Sequence, residues 1–148
     1  MTRSGTDASV VFQLKVTLIG IRPPIWRRLM VPGRIRLSDL HYVIQKAMGW
    51  YDCHLHLFEK NRREWSRPEW NELGEFGFQD ENKFRLDELL HVPGDSLVYV
   101  YDYGDDWRHR VRLEKAVAGP GTSTTPIYLH GRQTATPAGR CGRRPRLL

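Results

Sequence analysis

Cysteine is scarce in this chain. Cys53 and Cys141 are its two cysteines, far apart and in no Cys-x-x-Cys pair, so neither a disulfide framework nor a zinc knuckle is indicated. Long apolar runs are missing too, and no stretch approaches the roughly 18 residues of a membrane-spanning helix. Residues Met1 to Val10 lack the charged start and apolar stretch of a secretory signal. A cytoplasmic protein with no membrane partner is the expectation. No P-loop, GxGxxG or HExxH motif occurs, and Ser38 has no nucleophile-elbow context. A serine-recombinase reading fails likewise, for want of a catalytic serine near the start of an α/β domain and a basic helix-turn-helix behind it. Acidic residues are absent after Lys115.

What is present suits a single domain. The 148 residues are 40% hydrophobic, 11% aromatic and 27% charged, enough to fill a core. The net charge of +6 suggests an anionic partner. Yet five arginines (Arg132, Arg140, Arg143, Arg144 and Arg146) fall after residue 115, leaving 18 basic against 17 acidic residues before it. The body is nearly neutral, and a basic folded surface has to be a local stripe.

Hydrophobic period fixes most elements. Val10, Phe12, Leu14, Val16 and Leu18 alternate as in a strand with one buried side, Gly20 to Pro24 turns the chain, and Ile25 to Val31 returns. Ser38 reads as the cap of a helix carrying Leu40, Val43, Ile44, Ala47 and Met48, with Gly49 as its stop. Residues 54 to 59 (HLHLFE) alternate again, with His54, His56 and Phe58 on one face. Residues 60 to 83 show little period. A short helical turn at Leu86 to Leu90 and a Pro93-Gly94 turn lead to a hairpin, Leu97 to Asp102 and Trp107 to Lys115. The second arm puts Trp107, His109, Val111 and Leu113 on one face and Arg108, Arg110, Arg112 and Glu114 on the other. The fold class is therefore α+β: a mostly antiparallel sheet packed by one main helix, in one domain over residues 10–118. Residues 1–9 and the Gly/Pro/Arg-rich residues 119–148 are expected to be disordered.

Three clusters carry candidate chemistry. Asp102, Asp105 and Asp106 crowd a turn walled by Tyr101, Tyr103 and Trp107; such acids can hold a hard cation or act as an acid and base pair, or they can simply be turn residues, with Gly104 at positive φ. His54 and His56 share a strand face, and His109 lies on another strand, so the three are candidate ligands of a divalent metal; the alternative is structural histidines held by hydrogen bonds. Arg108, Arg110 and Arg112 project at intervals of about 6 to 7 Å, a spacing suited to phosphates, with Arg27, Arg28, Arg34 and Arg36 able to extend the stripe. A solvated face is the plainer meaning.

In order, RPPIWRRLMVP (22–32), LSDLHYVIQKAMGWYDCHLHLF (37–58) and YVYDYGDDWRHRVRLEK (99–115) resemble the plasmid pRiA4b ORF-3-like family. The resemblance spans about residues 10 to 118. It implies a compact α+β domain of uncharacterised activity, often labelled as an insertion-element passenger or a resolvase, and it directs attention to Trp26, Arg27, His41, Trp50, His54, His56, Phe58, Asp102, Gly104, Asp105, Trp107 and His109. Relatives continue with a cysteine, an acidic proline-rich stretch and paired glycines. Here ATP (135–137) starts such a stretch before AGRCGRRPRLL, so the ending reads as out of frame. The expected role is a mobile-element-associated module that binds a protein or nucleic acid through Trp50, Tyr101, Tyr103, Trp107, Arg27, Arg108, Arg110 and Arg112. The alternative is a metal-assisted hydrolase with His54, His56 and His109 beside Asp102 or Asp105.

Overall fold

The computed structural model describes residues 10–71 and 77–118 and the backbone of 127–132. Among them, one sheet of eight strands runs in the order β5-β4-β3-β6-β7-β1-β2-β8, with β1 Val10–Leu18, β2 Ile25–Pro32, β3 His56–Lys60, β4 Arg63–Ser66, β5 Gln79–Asp80, β6 Ser96–Tyr101, β7 Trp107–Ala118 and β8 Ile127–Arg132. Every pairing is antiparallel except β4 with β5. Helix α1, Leu37–Met48, supplies the apolar stripe Leu37, Leu40, Ile44 and Met48, which is buried together with the inward residues of the strands. The class is α+β, as the alternating pattern requires.

The sheet's two faces differ as the period of two dictates. Inward lie Leu14, Val16 and Leu18 of β1, Ile25, Leu29 and Val31 of β2, Tyr99 and Tyr101 of β6, and Trp107, His109, Val111 and Leu113 of β7, all buried. Outward lie Lys15 and Thr17, Trp26 and Arg28, and Arg108, Arg110 and Arg112, half-buried or exposed. The register sets Tyr99 opposite both Phe58 and His109, which gathers the aromatic and imidazole side chains on the inner face.

Local differences from the sequence reading have physical causes. Arg36, not Ser38, precedes the helix, and no side chain caps it. The Leu37 N–H donates to the Phe84 carbonyl at 3.0 Å, so a tertiary bond satisfies one donor of the first turn. Gly49 does stop the helix, at φ +82°. Strand β4 arises where no period was visible because Asn61 and Arg62 both take positive φ, the geometry of a two-residue hairpin loop, without the usual glycine to announce it. In the 102–106 turn, positive φ falls on Asp102 and Asp106 and not on Gly104.

Within the segment expected to be disordered, Ile127–Arg132 form β8, paired with the edge of β2 that β1 leaves open. Backbone pairing needs no hydrophobic period, so the pattern ending at Ala116 concealed it. The readings for residues 1–9, 119–126 and 133–148, the out-of-frame ending included, lie outside the described residues. Among the described residues, no helix is long and apolar enough to cross a membrane.

Candidate functional site

Two buried histidines from separate elements meet face to face. His41 comes from the second turn of α1 and His56 from the first residue of β3, and their rings stack with centroids 3.6 Å apart and planes 12° apart. Both are fully buried. Burial, aided for His41 by the neighbouring His56, pushes the His41 imidazole down to about 4; burial and the Arg67 charge push His56 down to about 3. At neutral pH both rings are uncharged, which removes the repulsion that stacking two cations would bring.

Each ring is fixed by polar partners. His41 Nε2 lies 2.9 Å from Asp52 Oδ1, and because a carboxylate oxygen accepts, His41 Nε2–H donates. His41 Nδ1 then accepts from the Tyr99 hydroxyl at 2.6 Å. Tyr99 accepts in turn from Gln45 Nε2 at 2.9 Å, and Gln45 Oε1 accepts from the Asp52 N–H at 2.6 Å. A closed circuit of hydrogen bonds therefore ties α1, β6 and the loop after α1. Burial holds the Tyr99 hydroxyl well above the ordinary tyrosine range, so it remains a donor.

His56 Nε2 sits 2.7 Å from Oε1 of Glu81, a buried carboxyl in the short 3-10 turn Glu81–Lys83. Loss of hydration pushes Glu81 up to about 7. Near neutral pH the proton is thus shared out between two arrangements: protonated Glu81 donates to His56, or His56 donates to ionised Glu81. His56 Nδ1 has no partner among the described residues.

Next to this pair, across Asp52 and Trp70, opens a cleft of about 410 Å³, lined among others by Asp52, His54, Arg67, Trp70, Asp102 and Tyr103. His54 and Leu55 precede β3 instead of belonging to it, so His54 does not share a strand face with His56, and these two residues meet the YDYGDDW turn here. His54 Nε2 is 3.6 Å from Asp102 Oδ2. The other oxygen of Asp102 accepts from the Gly104 and Asp105 N–H groups at 3.1 and 3.3 Å, which locks the turn. Tyr103 reaches over to donate to the His56 carbonyl at 3.1 Å. Arg67 lies 3.6 Å from Asp52 and 5.0 Å over the Trp70 ring.

The structure distributes the expected site residues as follows. His54, Asp102 and Tyr103 line the cleft, whereas His56 is buried behind it, in contact with the Trp70 ring and with its carbonyl held by Tyr103. His109 is apart from them in bonding: its Nε2 accepts from Trp50 Nε1 and its Nδ1 faces the Tyr99 carbonyl, both at 3.0 Å, so both nitrogens are engaged. Trp50, Tyr101 and Trp107 are core residues. Arg27 is also buried, with Nε donating to the Ala47 carbonyl at 2.9 Å near the end of α1. Arg108 bridges Glu59 at 2.6 Å and Asp106 at 3.3 Å, while Arg110 and Arg112 are exposed on the outer face. Asp105 and Asp106 belong to the turn itself.

His54, His56 and His109 with Asp102 do not converge on one point. Among the described residues the group whose ligand atoms approach one another, within 4.8 Å, is His41, Asp52 and His56. Imidazole lone pairs lie in the ring plane, and these two planes are nearly parallel and stacked. One ion cannot lie in both without a rotation of at least one ring. Sequence reasoning did not single out Gln45, Asp52, Arg67, Trp70, Glu81 or Tyr99: Gln45 is a polar residue off the apolar positions of the helix, Tyr99 lies inside a β-rich run, and Glu81 lies in the stretch without period.

A small α+β domain, with a mixed polar cleft set beside a buried pair of histidines, is the class that this fold and site define. The family model described as "Plasmid pRiA4b ORF-3-like protein" matches residues 10–145, and the chain belongs to that family. The match runs past residue 118. The chain is 38% identical over 115 residues to the uncharacterized protein y4hQ of Sinorhizobium fredii, an alignment covering 78% of this chain and 58% of that protein, so it spans under two thirds of that relative's length. It is also similar to the crystal structure of a protein of unknown function, MM3350, from Methanosarcina mazei, with a TM-score of 0.75 and 33% identity over 90% of this chain and 76% of that one.

Proposed function

We propose that this protein is a binding module whose cleft takes a cationic side chain from a protein partner. One observation carries the reading: the cleft sets the carboxylates Asp52 and Asp102 beside the rings of Trp70 and Tyr103, with Arg67 as the one arginine or lysine among the described lining residues. Carboxylates and aromatic faces together attract ammonium and guanidinium groups. Arg67 already displays the mode, lying over Trp70 and close to Asp52. The buried network supports the walls: Asp52 is held by His41 and Gln45, and Tyr103 by the His56 carbonyl, so the recognising groups are fixed before a ligand arrives. Keeping a buried polar network costs stability that apolar packing would not, which favours a role for it in positioning. Action in the cytoplasm beside other products of a mobile element belongs to the same proposal.

The test is an NMR titration of the full chain with short lysine- or arginine-bearing peptides and with acidic counterparts. Shifts confined to residues 52–55, 67, 70 and 102–104 with the basic peptides alone, lost in Trp70→Leu, are expected. Equal response to the acidic peptides, or shifts centred elsewhere, would overturn the reading.

A further inference from the structure

The sheet face opposite α1 carries a row of cations that the cleft does not use. In register across three strands stand Arg28 of β2, Lys15 of β1 and Arg112 of β7, with Lys15 directly opposite both of the others. The next row places Trp26, Thr17 and Arg110 side by side in the same manner. Like charges directly opposite one another on a sheet repel, so the row works against the fold's own stability. Part of the face is neutralised internally. Arg28 forms a two-pronged pair with Glu114 at 2.7 and 2.8 Å, and Arg108 pairs with Glu59. Among the described residues no carboxylate lies in ion-pairing reach of Lys15, Arg110 or Arg112.

Two of the face's cations, Lys15 and the Glu114-paired Arg28, lie against an aromatic ring. Lys15 Nζ lies 4.6 Å and the Arg28 guanidinium 5.0 Å from the centroid of Trp26. Neighbouring strands are about 4.8 Å apart and alternate residues along a strand about 6 to 7 Å, so the patch is flat and finely spaced. Its chemistry suits an extended polyanion whose charges repeat along a line and whose flat rings can stack. We infer that this outer face is a docking surface for single-stranded nucleic acid, with Lys15, Arg110 and Arg112 meeting phosphates and Trp26 offering a stacking platform. Phosphate binding there removes the repulsion that the free protein carries. The surface lies on the other side of the sheet from the buried histidines, and it stands whether or not the cleft takes a cationic side chain.

The experiment uses the full chain and a fluorescein-labelled oligothymidylate of about 16 nucleotides, read by anisotropy between about 50 and 200 mM salt. Expected is affinity that falls steeply with salt and exceeds that for a duplex of equal length. The triple variant Lys15→Ser, Arg110→Ser, Arg112→Ser leaves the Arg28–Glu114 pair in place; it should bind roughly tenfold more weakly, with the salt slope reduced by about 2 to 3. Trp26→Leu should remove the preference for single strands. Unchanged circular dichroism establishes that the variants fold, and single substitutions Arg110→Ser and Arg112→Ser replace any that does not. Wild-type binding by the triple variant would place the affinity elsewhere, such as in the arginines after residue 131, and overturn the inference. Equal or tighter binding of duplex, or of a polyglutamate peptide, would overturn it as well.

Discussion

At the scale of single residues, the buried ionisable groups make stability depend on pH in two opposed ways. Glu81 keeps its proton up to about 7 in the fold, against 4.5 for the ordinary side chain. Its folded value is raised, so the folded state binds more protons, and stability is lost as pH climbs from about 4.5 through 7. A shift of that size corresponds to roughly 3 kcal/mol once the group is fully ionised. Glu81→Gln, whose amide can donate to His56 as the protonated acid does, should therefore unfold at higher urea than wild type at pH 8 and at nearly equal urea at pH 4.5. An equal difference at both values would show that Glu81 does not titrate in this window. His41, His56 and His109 run the other way, with folded values of about 4, 3 and 4 against 6.5. Each binds fewer protons when folded, so their contribution is present above pH 6.5 and lost on acidification through about 4 for His41 and His109 and about 3 for His56. Replacing His56 with Gln should make the acid limb of a denaturation profile shallower by one proton. The histidine strand was legible in HLHLFE as an alternation; that His56 would find Glu81, and His41 would find His56, was not, because both contacts join residues with no pattern between them.

At the scale of elements, two local features decide what the pattern left open. Ser38 makes no capping bond at the start of α1, where the Leu37 donor is satisfied by Phe84. Ser38→Ala should accordingly change stability by less than about 0.5 kcal/mol, whereas loss of a true cap costs about 1 kcal/mol. A loss of the larger size in chemical denaturation would restore Ser38 to the capping role. In the β3–β4 loop, Arg62 at φ +67° bears the strain of a left-handed residue with a side chain. Arg62→Gly relieves it and should raise stability by about 0.5 kcal/mol, the net of relieved strain and glycine's greater freedom when unfolded. A lower urea midpoint would contradict that assignment. The strands β1, β2, β6 and β7 were readable because alternation survives in them without interruption. Strand β4 was hidden by a turn lacking glycine, and β8 by a segment recruited through backbone pairing alone.

At the scale of the whole molecule, charge is segregated although the body is nearly neutral in total. Asp52 and Asp102 line the cleft, whereas on the outer sheet face Arg110 and Arg112 stand without an ion-pairing carboxylate among the described residues. The two surfaces thus suit ligands of opposite sign. Topology has a kinetic consequence as well: β1 pairs with its neighbour β2 but also with β7, whose residues lie about a hundred positions away. Closing so long a loop before its contacts form is slow, and refolding in stopped flow should take milliseconds to seconds. Completion in microseconds would indicate that the β1–β7 pairing forms after the observed step.

The sequence by itself determined the fold class, the inward and outward faces of the strands, the end of the helix at Gly49 and the family, since each of these rests on period, local backbone preference or motif order along the chain. Tertiary structure alone decided which polar groups meet. Residues 41, 52, 56, 81 and 99 come together because strand register and helix packing bring distant segments within hydrogen-bonding reach, and the burial that shifts their proton affinities exists only once the core has closed over them.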